Sequence, residues 1–357
     1  MAEPLKLNVG SEATVRALEQ GELPWTLHPD CEYASDPGQW GASLINDAEL
    51  LVACLDAVGA RAVVEVGAYA GDLTRFLLAW AAGSEVRVWA IDPEPQPELV
   101  RLSKERPELE LIQATSHEAL AQIPPVDAVI IDGDHNYYTV SEELRLVKER
   151  SPRGQLPLLL FHDVGWPHAR RDDYYAPEQI PPEFRQPTVE GGGLFPGSAE
   201  PRPGGLPYRW PARNHGGPRN GVLTAVEDFV AANAGLQLAV VSAFFGFGAV
   251  WHRAAPWAEP LGAALAAWEG NPLIARLEAN RVFHLASVHH QMVEVTAAQE
   301  RIARQEVLLR RLLESSAFSV AERLSRLRHR MGIAPAQSVI SKDEVRRALA
   351  TKNGLGS

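Results

Sequence analysis

Between Arg61 and Val164 the sequence alternates short apolar runs with segments of helical periodicity, and this alternation is the strongest constraint on the fold. The apolar runs cover residues 61–66, 85–92, 109–114, 126–132 and 156–164. Such continuous runs, rich in β-branched residues, are typical of strands that are buried on both faces. Helical patterns between them complete a series of β–α units, which predicts a parallel, doubly wound sheet.

The alternation stops at Gly165. Residues 165–221 are rich in Pro, Gly, Arg and aromatic residues without periodicity, which is typical of a functional lid, of a binding loop or of disorder. A helix is predicted over 221–235, and two apolar runs then predict an antiparallel hairpin around Phe245 and Gly246. The predicted fold is α/β: a Rossmann-like, mainly parallel sheet with a closing antiparallel hairpin, a long Pro/Gly-rich insert and a C-terminal helical extension.

We divide the chain into a helical or irregular segment 1–60, a sheet domain 61–253 that contains the insert, and a helical extension 254–357. Apolar residues recur at heptad spacing from Leu285 to Leu313, which predicts a coiled coil and a homo-oligomer formed through these helices. Residues 318–332 are predicted to form a basic amphipathic helix, which could lie on a partner or on an anionic membrane surface. The alternative is a solvated helix packed on its own protein.

Composition excludes some classes of protein. The formal charge of −11 argues against a nucleic-acid-binding protein, which usually carries a basic face. The two cysteines, Cys31 and Cys54, have no metal-type spacing, as expected in a reducing compartment. The sequence "MAEPLKLNVGSEATV" lacks the apolar core of a signal peptide, and no later run is long enough to span a membrane. We therefore expect a cytoplasmic protein.

The stretch "VVEVGAYAGDLT" (63–74) predicts a strand, a glycine turn and a helix start, where backbone N–H groups can face a ligand. Tyr69 replaces the second glycine of the dinucleotide fingerprint, so pyrophosphate fits poorly. Asp92 follows roughly 20 residues after the turn, where an acid binds a ribose diol. Glu65 suits an ammonium group. A nucleoside with an amino-acid tail and no pyrophosphate describes S-adenosylmethionine.

Charged residues follow the fourth and fifth predicted strands. Asp132 ends "VDAVIID", and His162 with Asp163 ends "LPLLLFHDV". Because the carboxyl ends of parallel strands face one crevice, these three side chains can converge on a divalent ion. Carboxylates favour Mg²⁺, whereas the imidazole adds Mn²⁺, Fe²⁺ or Zn²⁺ as alternatives.

Asp134 and His135 stand next to Asp132 and are candidates for the general base that takes a proton from a substrate hydroxyl. Histidine suits this role because its unperturbed pKa lies near neutrality. The alternative is that both residues only cap the helix predicted to begin near Tyr137.

The stretches "VVEVGAYAG", "AIDPE", "QATSHEAL" and "DAVIIDGDHNY" resemble the motifs of class I S-adenosylmethionine-dependent methyltransferases over about residues 61–253. "IDGDH" with the strand-five acid is similar to the metal-dependent sugar O-methyltransferases of the macrocin type. The resemblance implies metal ligation by Asp132 and Asp163, while His162 stands where those relatives usually carry a second acid.

The resemblance also implies a cofactor site. Glu65, Gly67 and Gly71 would hold the methionine part and Asp92 the ribose, while Ser116 and His117 would border the adenine. The remaining predicted cofactor contacts are Ala68, Tyr69 and Asp132.

The insert supplies the candidate substrate contacts. Aromatic rings suit sugar faces, and arginines suit carboxylates or phosphates. The candidates are Trp166, Arg170, Arg171, Tyr174, Tyr175 and Arg219. The alternative is an irregular contact between subunits.

These patterns predict metal-assisted methyl transfer to a sugar hydroxyl in a glycan or glycosylated metabolite. One alternative acceptor is a phenolic or other small natural-product hydroxyl. Two further hypotheses are a non-catalytic scaffold in glycan assembly, with glycan-assembly or peripheral membrane partners, and a non-haem iron oxidoreductase that uses the His/Asp cluster.

Overall fold

Seven strands form the central sheet of this protein, which we describe from a computed structural model covering residues 44–152, 155–333 and 341–350. The predictions for residues 1–43, with Cys31, and for residues beyond 350 lie outside this part of the chain. The strands are Ala62–Val66 (β1), Arg87–Ile91 (β2), Leu109–Ile112 (β3), Ala128–Ile131 (β4), Leu158–Phe161 (β5), Leu236–Val241 (β8) and Phe247–His252 (β9). Two short strands of the insert, Gly193–Leu194 (β6) and Leu206–Pro207 (β7), pair separately.

The strand order is β3-β2-β1-β4-β5-β9-β8. Strands β1 to β5 are parallel, and β9 runs antiparallel to both β5 and β8. The order reverses between β1 and β4, which is where ligands bind in open α/β sheets. The predicted α/β fold with its closing antiparallel pair is confirmed.

The described residues form ten α-helices, several of which cover the two faces of the sheet. They are Ala48–Val58 (α1), Asp72–Trp80 (α2), Pro97–Glu105 (α3), Ser116–Leu120 (α4), Tyr137–Arg150 (α5), Val222–Ala231 (α6), Ala258–Leu265 (α7), Pro272–Glu314 (α8), Ser316–Arg330 (α9) and Lys342–Ala350 (α10). Adjacent strand residues face opposite layers, so Val63 lies in one buried cluster with α1 and α2, and Val64 lies in the other with α5 and α6.

The insert folds without much regular structure. It contains two 3-10 turns, His168–Arg170 and Pro177–Gln179, the β6–β7 pair and two isolated bridges. Asp172 organises it: its carboxylate accepts hydrogen bonds from the backbone N–H groups of Tyr137 and Gly221 and from the Tyr174 hydroxyl, at 2.6 to 2.8 Å. A buried carboxylate with three donors connects the insert to the starts of α5 and α6.

The chain divides into two compact units at the His290–Gln291 peptide, within α8. The second unit contains the remainder of α8 with α9 and α10. Across the described ranges, no helix combines the length and the apolar character that crossing a membrane requires.

Candidate active site

The candidate metal ligands meet at the carboxyl ends of β4 and β5. Asp132 follows β4 directly, and His162 and Asp163 follow β5. One ligand atom from each side chain lies within 4.8 Å of the others. Asp163 has a φ of 58°, in the left-handed region that non-glycine residues rarely adopt, and such strain is common at functional sites. The structure therefore brings together the three residues that the sequence singled out.

The hydrogen bonds of His162 fit a cation ligand. Its Nε2 lies 2.7 Å from the backbone carbonyl oxygen of Phe244, so Nε2 carries the proton and donates it. Its Nδ1 then faces Asp132 Oδ1 at 3.1 Å and Asp163 Oδ2 at 3.3 Å. A nitrogen lone pair facing two carboxylate oxygens needs either a second proton or a shared cation. A metal-bound histidine commonly donates its other N–H to a carbonyl, as here.

The electrostatics of these groups also favour a bound cation. Burial opposes protonation of His162, but Asp132 and Asp163 outweigh it and hold its pKa well above the usual range. Burial also favours the neutral form of Asp163, but His162 and His135 outweigh it and hold its pKa well below normal. Two carboxylates that attract positive charge into a buried pocket, with an imidazole between them, fit a divalent ion.

The turn between β8 and β9 orients His162. Phe244 and Phe245 both have positive φ, at 44° and 69°. The Phe245 N–H donates to Glu278 Oε1 in α8 at 2.9 Å, and the Gly165 N–H donates to the Phe245 carbonyl. The histidine ligand thus depends on a strained turn that α8 supports.

His135 lies against the same cluster. Its Nε2 is 3.0 Å from Asp163 Oδ2, and its ring stacks on the His168 ring with centroids 4.6 Å apart. The Tyr175 ring lies 5.8 Å away on the exposed side. Burial disfavours the charged imidazole, but Asp163 and two neighbouring carboxylates outweigh it and raise the pKa of His135 to about 9. A cation shared by Asp132 and Asp163 would offset the negative charge that raises this pKa.

Asp134 does not cap α5 itself, as the capping alternative predicted, but it contacts the residue that does. The N-cap of α5 is Asn136, whose Oδ1 accepts from the Thr139 N–H at 2.9 Å. Asp134 Oδ2 accepts from Asn136 Nδ2 and from Thr139 Oγ1 and so braces this cap. Burial raises the pKa of Asp134. These hydrogen bonds occupy Oδ2 of Asp134, whereas the ring of His135 lies directly against Asp163 of the cluster, which favours His135 as the base.

The glycine turn after β1 lies close to Asp132. Gly67 has a φ of +88°, and a Cβ at this position would overlap the Asp132 carbonyl. Asp92 closes the turn, because its Oδ2 accepts the Tyr69 N–H and its Oδ1 accepts the Glu94 N–H, both at 2.8 Å. The Tyr69 side chain is 64 % exposed, whereas Ala68 is buried. Gly71, also at positive φ, is the N-cap of α2.

Glu65 is buried within β1. It is 1 % exposed, and its Oε2 accepts from Thr74 Oγ1 at 2.6 Å. Burial raises its pKa to about 8. Through this hydrogen bond Glu65 joins β1 to α2, and its predicted contact with the methionine part of the cofactor stays a prediction.

Ser116 and His117 begin α4 after a Thr115 capping box. Both are half-buried, and His117 Nε2 lies 3.2 Å from the Thr139 carbonyl oxygen, so this histidine links α4 to α5.

Several predicted substrate contacts are structural. Tyr174 is 1 % exposed and donates to Asp172. Arg171 is buried and donates to backbone carbonyls, among them those of Ala199 and Arg213. Arg170 makes a bidentate pair with Glu227 in α6, at 2.6 and 2.7 Å. These three side chains hold the insert together, and their role as substrate contacts stays a prediction.

The other three candidates differ in position. Arg219 stacks over the Phe184 ring, with 4.9 Å to its centroid. Trp166 packs beside the cluster that contains Phe245. Of the six, Tyr175 contacts the His135 ring.

Sequence reasoning missed two residues of the site. His168 lies under the His135 ring, and burial lowers its pKa to about 3, so it is neutral. Asp172 is the centre of the insert. The run "RRDDYY" shows a local excess of charge, but no pattern distinguishes the buried members from the exposed ones.

A family model described as "Methyltransferase domain" matches residues 64–164. This segment is similar to that family over about a quarter of the chain. It contains the glycine turn, Asp92, Asp132, His135 and Asp163. No curated protein matches the chain.

Several solved structures are similar to parts of this chain. An SAH-bound methyltransferase of Podospora anserina is 13 % identical, with a TM-score of 0.37, over 68 % of this chain and 88 % of the other. A putative O-methyltransferase from Klebsiella pneumoniae is 16 % identical, with a TM-score of 0.34, over 68 % and 90 %. An O-methyltransferase from Bacillus cereus in complex with SAH is 13 % identical, with a TM-score of 0.34, over 66 % and 87 %.

Proposed function

We propose that this chain transfers a methyl group from S-adenosylmethionine to a sugar hydroxyl of a glycan or glycosylated metabolite, assisted by a divalent metal. The observation that carries this proposal is the position of His135 beside the Asp132, His162 and Asp163 cluster, next to the glycine turn of the methyltransferase domain. Metal-assisted O-methylation uses a general base, a cation site and a turn that holds the methyl donor. The candidates for all three lie at one end of the sheet.

Asp132, His162 and Asp163 would hold the metal, with Mg²⁺ as the first candidate and Mn²⁺ or Fe²⁺ as alternatives. When bound, the ion would favour the deprotonated form of the acceptor hydroxyl.

His135 would take the proton. Asp163 accepts from His135 Nε2, which leaves Nδ1 as the basic nitrogen. As the acceptor oxygen attacks the methyl carbon, its proton passes to Nδ1, and the C–S bond breaks to release S-adenosylhomocysteine. Asp163 would also fix the direction of the imidazole ring, as carboxylates commonly do for catalytic histidines.

We expect His135→Ala to lower kcat by about 10²–10⁴-fold, the usual contribution of a general base. Metal affinity should stay unchanged, because the three predicted ligands remain. His215→Ala removes an exposed histidine of the insert and is the matched control. Initial rates and metal titration calorimetry measure both quantities. Full activity of His135→Ala would move the base role to Asp134.

The cofactor proposal rests on the glycine turn and Asp92. The Asp92 carboxylate is 8 % exposed, and its oxygens retain lone pairs beyond the two backbone donors, so it can also accept from ribose hydroxyls.

We expect Asp92→Ala to weaken S-adenosylmethionine binding by about 1–3 kcal/mol, the cost of unpaired buried polar groups. Calorimetry of the variant measures this, and the exposed Asp228→Ala is the control. Thermal unfolding of both variants separates loss of the ligand contact from damage to the turn. Unchanged affinity in Asp92→Ala would remove the ribose assignment.

The sugar acceptor is supported by Tyr175, whose exposed ring stands beside His135 and suits the apolar face of a sugar. Turnover with a panel of sugar and phenolic acceptors tests it, with S-adenosylhomocysteine release as the readout. Methylation of phenols alone would replace the sugar proposal. Binding of S-adenosylmethionine without turnover on any hydroxyl would favour the scaffold alternative.

A further inference from the structure

Helix α9 leaves a stripe of apolar residues exposed, and most of its half-buried residues are polar. Four apolar residues recur at three- and four-residue spacing, at Val320, Leu324, Leu327 and Met331. At 3.6 residues per turn they form one stripe, and each is between 54 % and 63 % exposed. The half-buried residues of α9 are Phe318, Ser319, Glu322 and Ser325. An amphipathic helix usually has the opposite orientation in a folded protein.

Among the described residues, the polar face of α9 forms three hydrogen bonds. Glu322 Oε1 accepts from Arg326 at 2.6 Å and from the Lys342 N–H at the start of α10 at 3.2 Å. The Ser319 hydroxyl donates to the Ser315 carbonyl at 3.1 Å. The hydrogen bond from the Lys342 N–H joins this face of α9 to α10, whereas the other two lie within α9 and its N-cap.

Arginines border the stripe on both sides. By helical geometry Arg323 and Arg330 lie along one edge of it and Arg328 along the other. Arg326 pairs with Glu322, but these three form no ion pair within the part of the chain that the structure describes. The whole chain carries a charge of −11, so the positive charge of this surface is opposite in sign to the net charge of the protein.

The charge pattern indicates what covers the stripe. A second copy of α9 packed on it would bring arginines of both copies together at its edges, and like charges there disfavour pairing. An anionic lipid surface has the opposite property. Its headgroup phosphates can bind the bordering arginines while the apolar side chains enter the boundary between headgroups and acyl chains.

We propose that α9 is an interfacial helix that binds the surface of an anionic lipid bilayer. The apolar stripe lies in the bilayer interface, and Arg323, Arg328 and Arg330 contact lipid phosphates. The proposal is independent of the methyl-transfer site, since no residue of that site belongs to α9.

The test is sedimentation of the full-length protein with vesicles of phosphatidylcholine alone, or of phosphatidylcholine mixed with phosphatidylglycerol. We expect binding to the mixed vesicles only, weakened by added salt. Substituting Arg323, Arg328 and Arg330 with Gln should lower the affinity by roughly a hundredfold, at about 1 kcal/mol per basic residue. The control substitutes Arg301, Arg310 and Arg311 of α8 with Gln and removes the same charge.

The apolar contribution is tested separately. Leu324→Ser with Leu327→Ser should reduce binding at least about tenfold, because both side chains would lose their burial in the interface. Val307→Ser with Leu308→Ser, on the exposed surface of α8, is the control and should bind as the parent does. Circular dichroism of each variant checks that the helices persist.

Absence of binding to anionic vesicles, or equal losses in the control variants, would overturn the proposal. So would light scattering that shows a dimer abolished by the Leu324→Ser and Leu327→Ser pair, because the stripe would then be a contact between two copies of this chain.

Discussion

Asp132→Asn and Asp163→Asn are each expected to lose divalent-metal binding and to lower turnover about a thousandfold, since a bound metal contributes several kcal/mol and each 1.36 kcal/mol is tenfold in rate. Asparagine keeps the size of the side chain and tolerates the left-handed φ of 58° at position 163, so the substitution removes charge without adding backbone strain. Metal titration calorimetry and initial rates measure the two effects.

S-adenosylmethionine affinity should remain close to that of the parent in Asp163→Asn, because Asp92, Asp132 and the glycine turn are unchanged. The exposed Asp228→Asn is the control for loss of a carboxylate elsewhere. Full turnover of Asp132→Asn in the presence of a chelator would refute the metal proposal while leaving methyl transfer itself intact.

Gly67→Ala is expected to destabilise the fold by about 2–5 kcal/mol. A methyl group there adds left-handed strain of about 1–2 kcal/mol and overlaps the Asp132 backbone, where overpacking costs a further 1–3 kcal/mol. The free energy of unfolding from denaturant titration measures the change.

Gly59→Ala is the matched control. Gly59 also has a positive φ, at +65°, but nothing lies within 4 Å of an added Cβ. This variant should therefore lose only the strain of about 1–2 kcal/mol. Equal losses in the two variants would show that the turn after β1 can move away from Asp132. We also expect metal affinity to fall in Gly67→Ala alone, because the overlap displaces the residue that carries a ligand.

The strand series could be read from the sequence because buried parallel strands are continuous apolar runs, as in β4, whose residues are all buried. The three metal candidates could be found for a related reason. Each follows the last residue of a strand, so their convergence is a consequence of sheet topology. The predicted hairpin around Phe245 and Gly246 was correct, since β8 and β9 flank this turn.

Residues of the insert could not be assigned in this way. Tyr174 and Tyr175 are neighbours of one type, yet the first is 1 % exposed and the second 66 % exposed. Their difference follows from the Asp172 hydrogen bonds, which join segments far apart in the chain. The hydrogen bond of Glu65 could not be predicted for a similar reason, because its partner Thr74 lies on the helix packed against its strand.

The carbonyl of Phe244 that accepts from His162 belongs to a turn whose next N–H donates to Glu278. Glu278 belongs to α8, beyond the last strand of the sheet. The boundary between the sheet domain and the helical extension is therefore not a boundary of the catalytic apparatus. A chimera joined at residue 253 would keep all three predicted metal ligands but lose the carboxylate that supports the turn behind one of them. The extension therefore cannot be replaced without affecting the turn that orients His162.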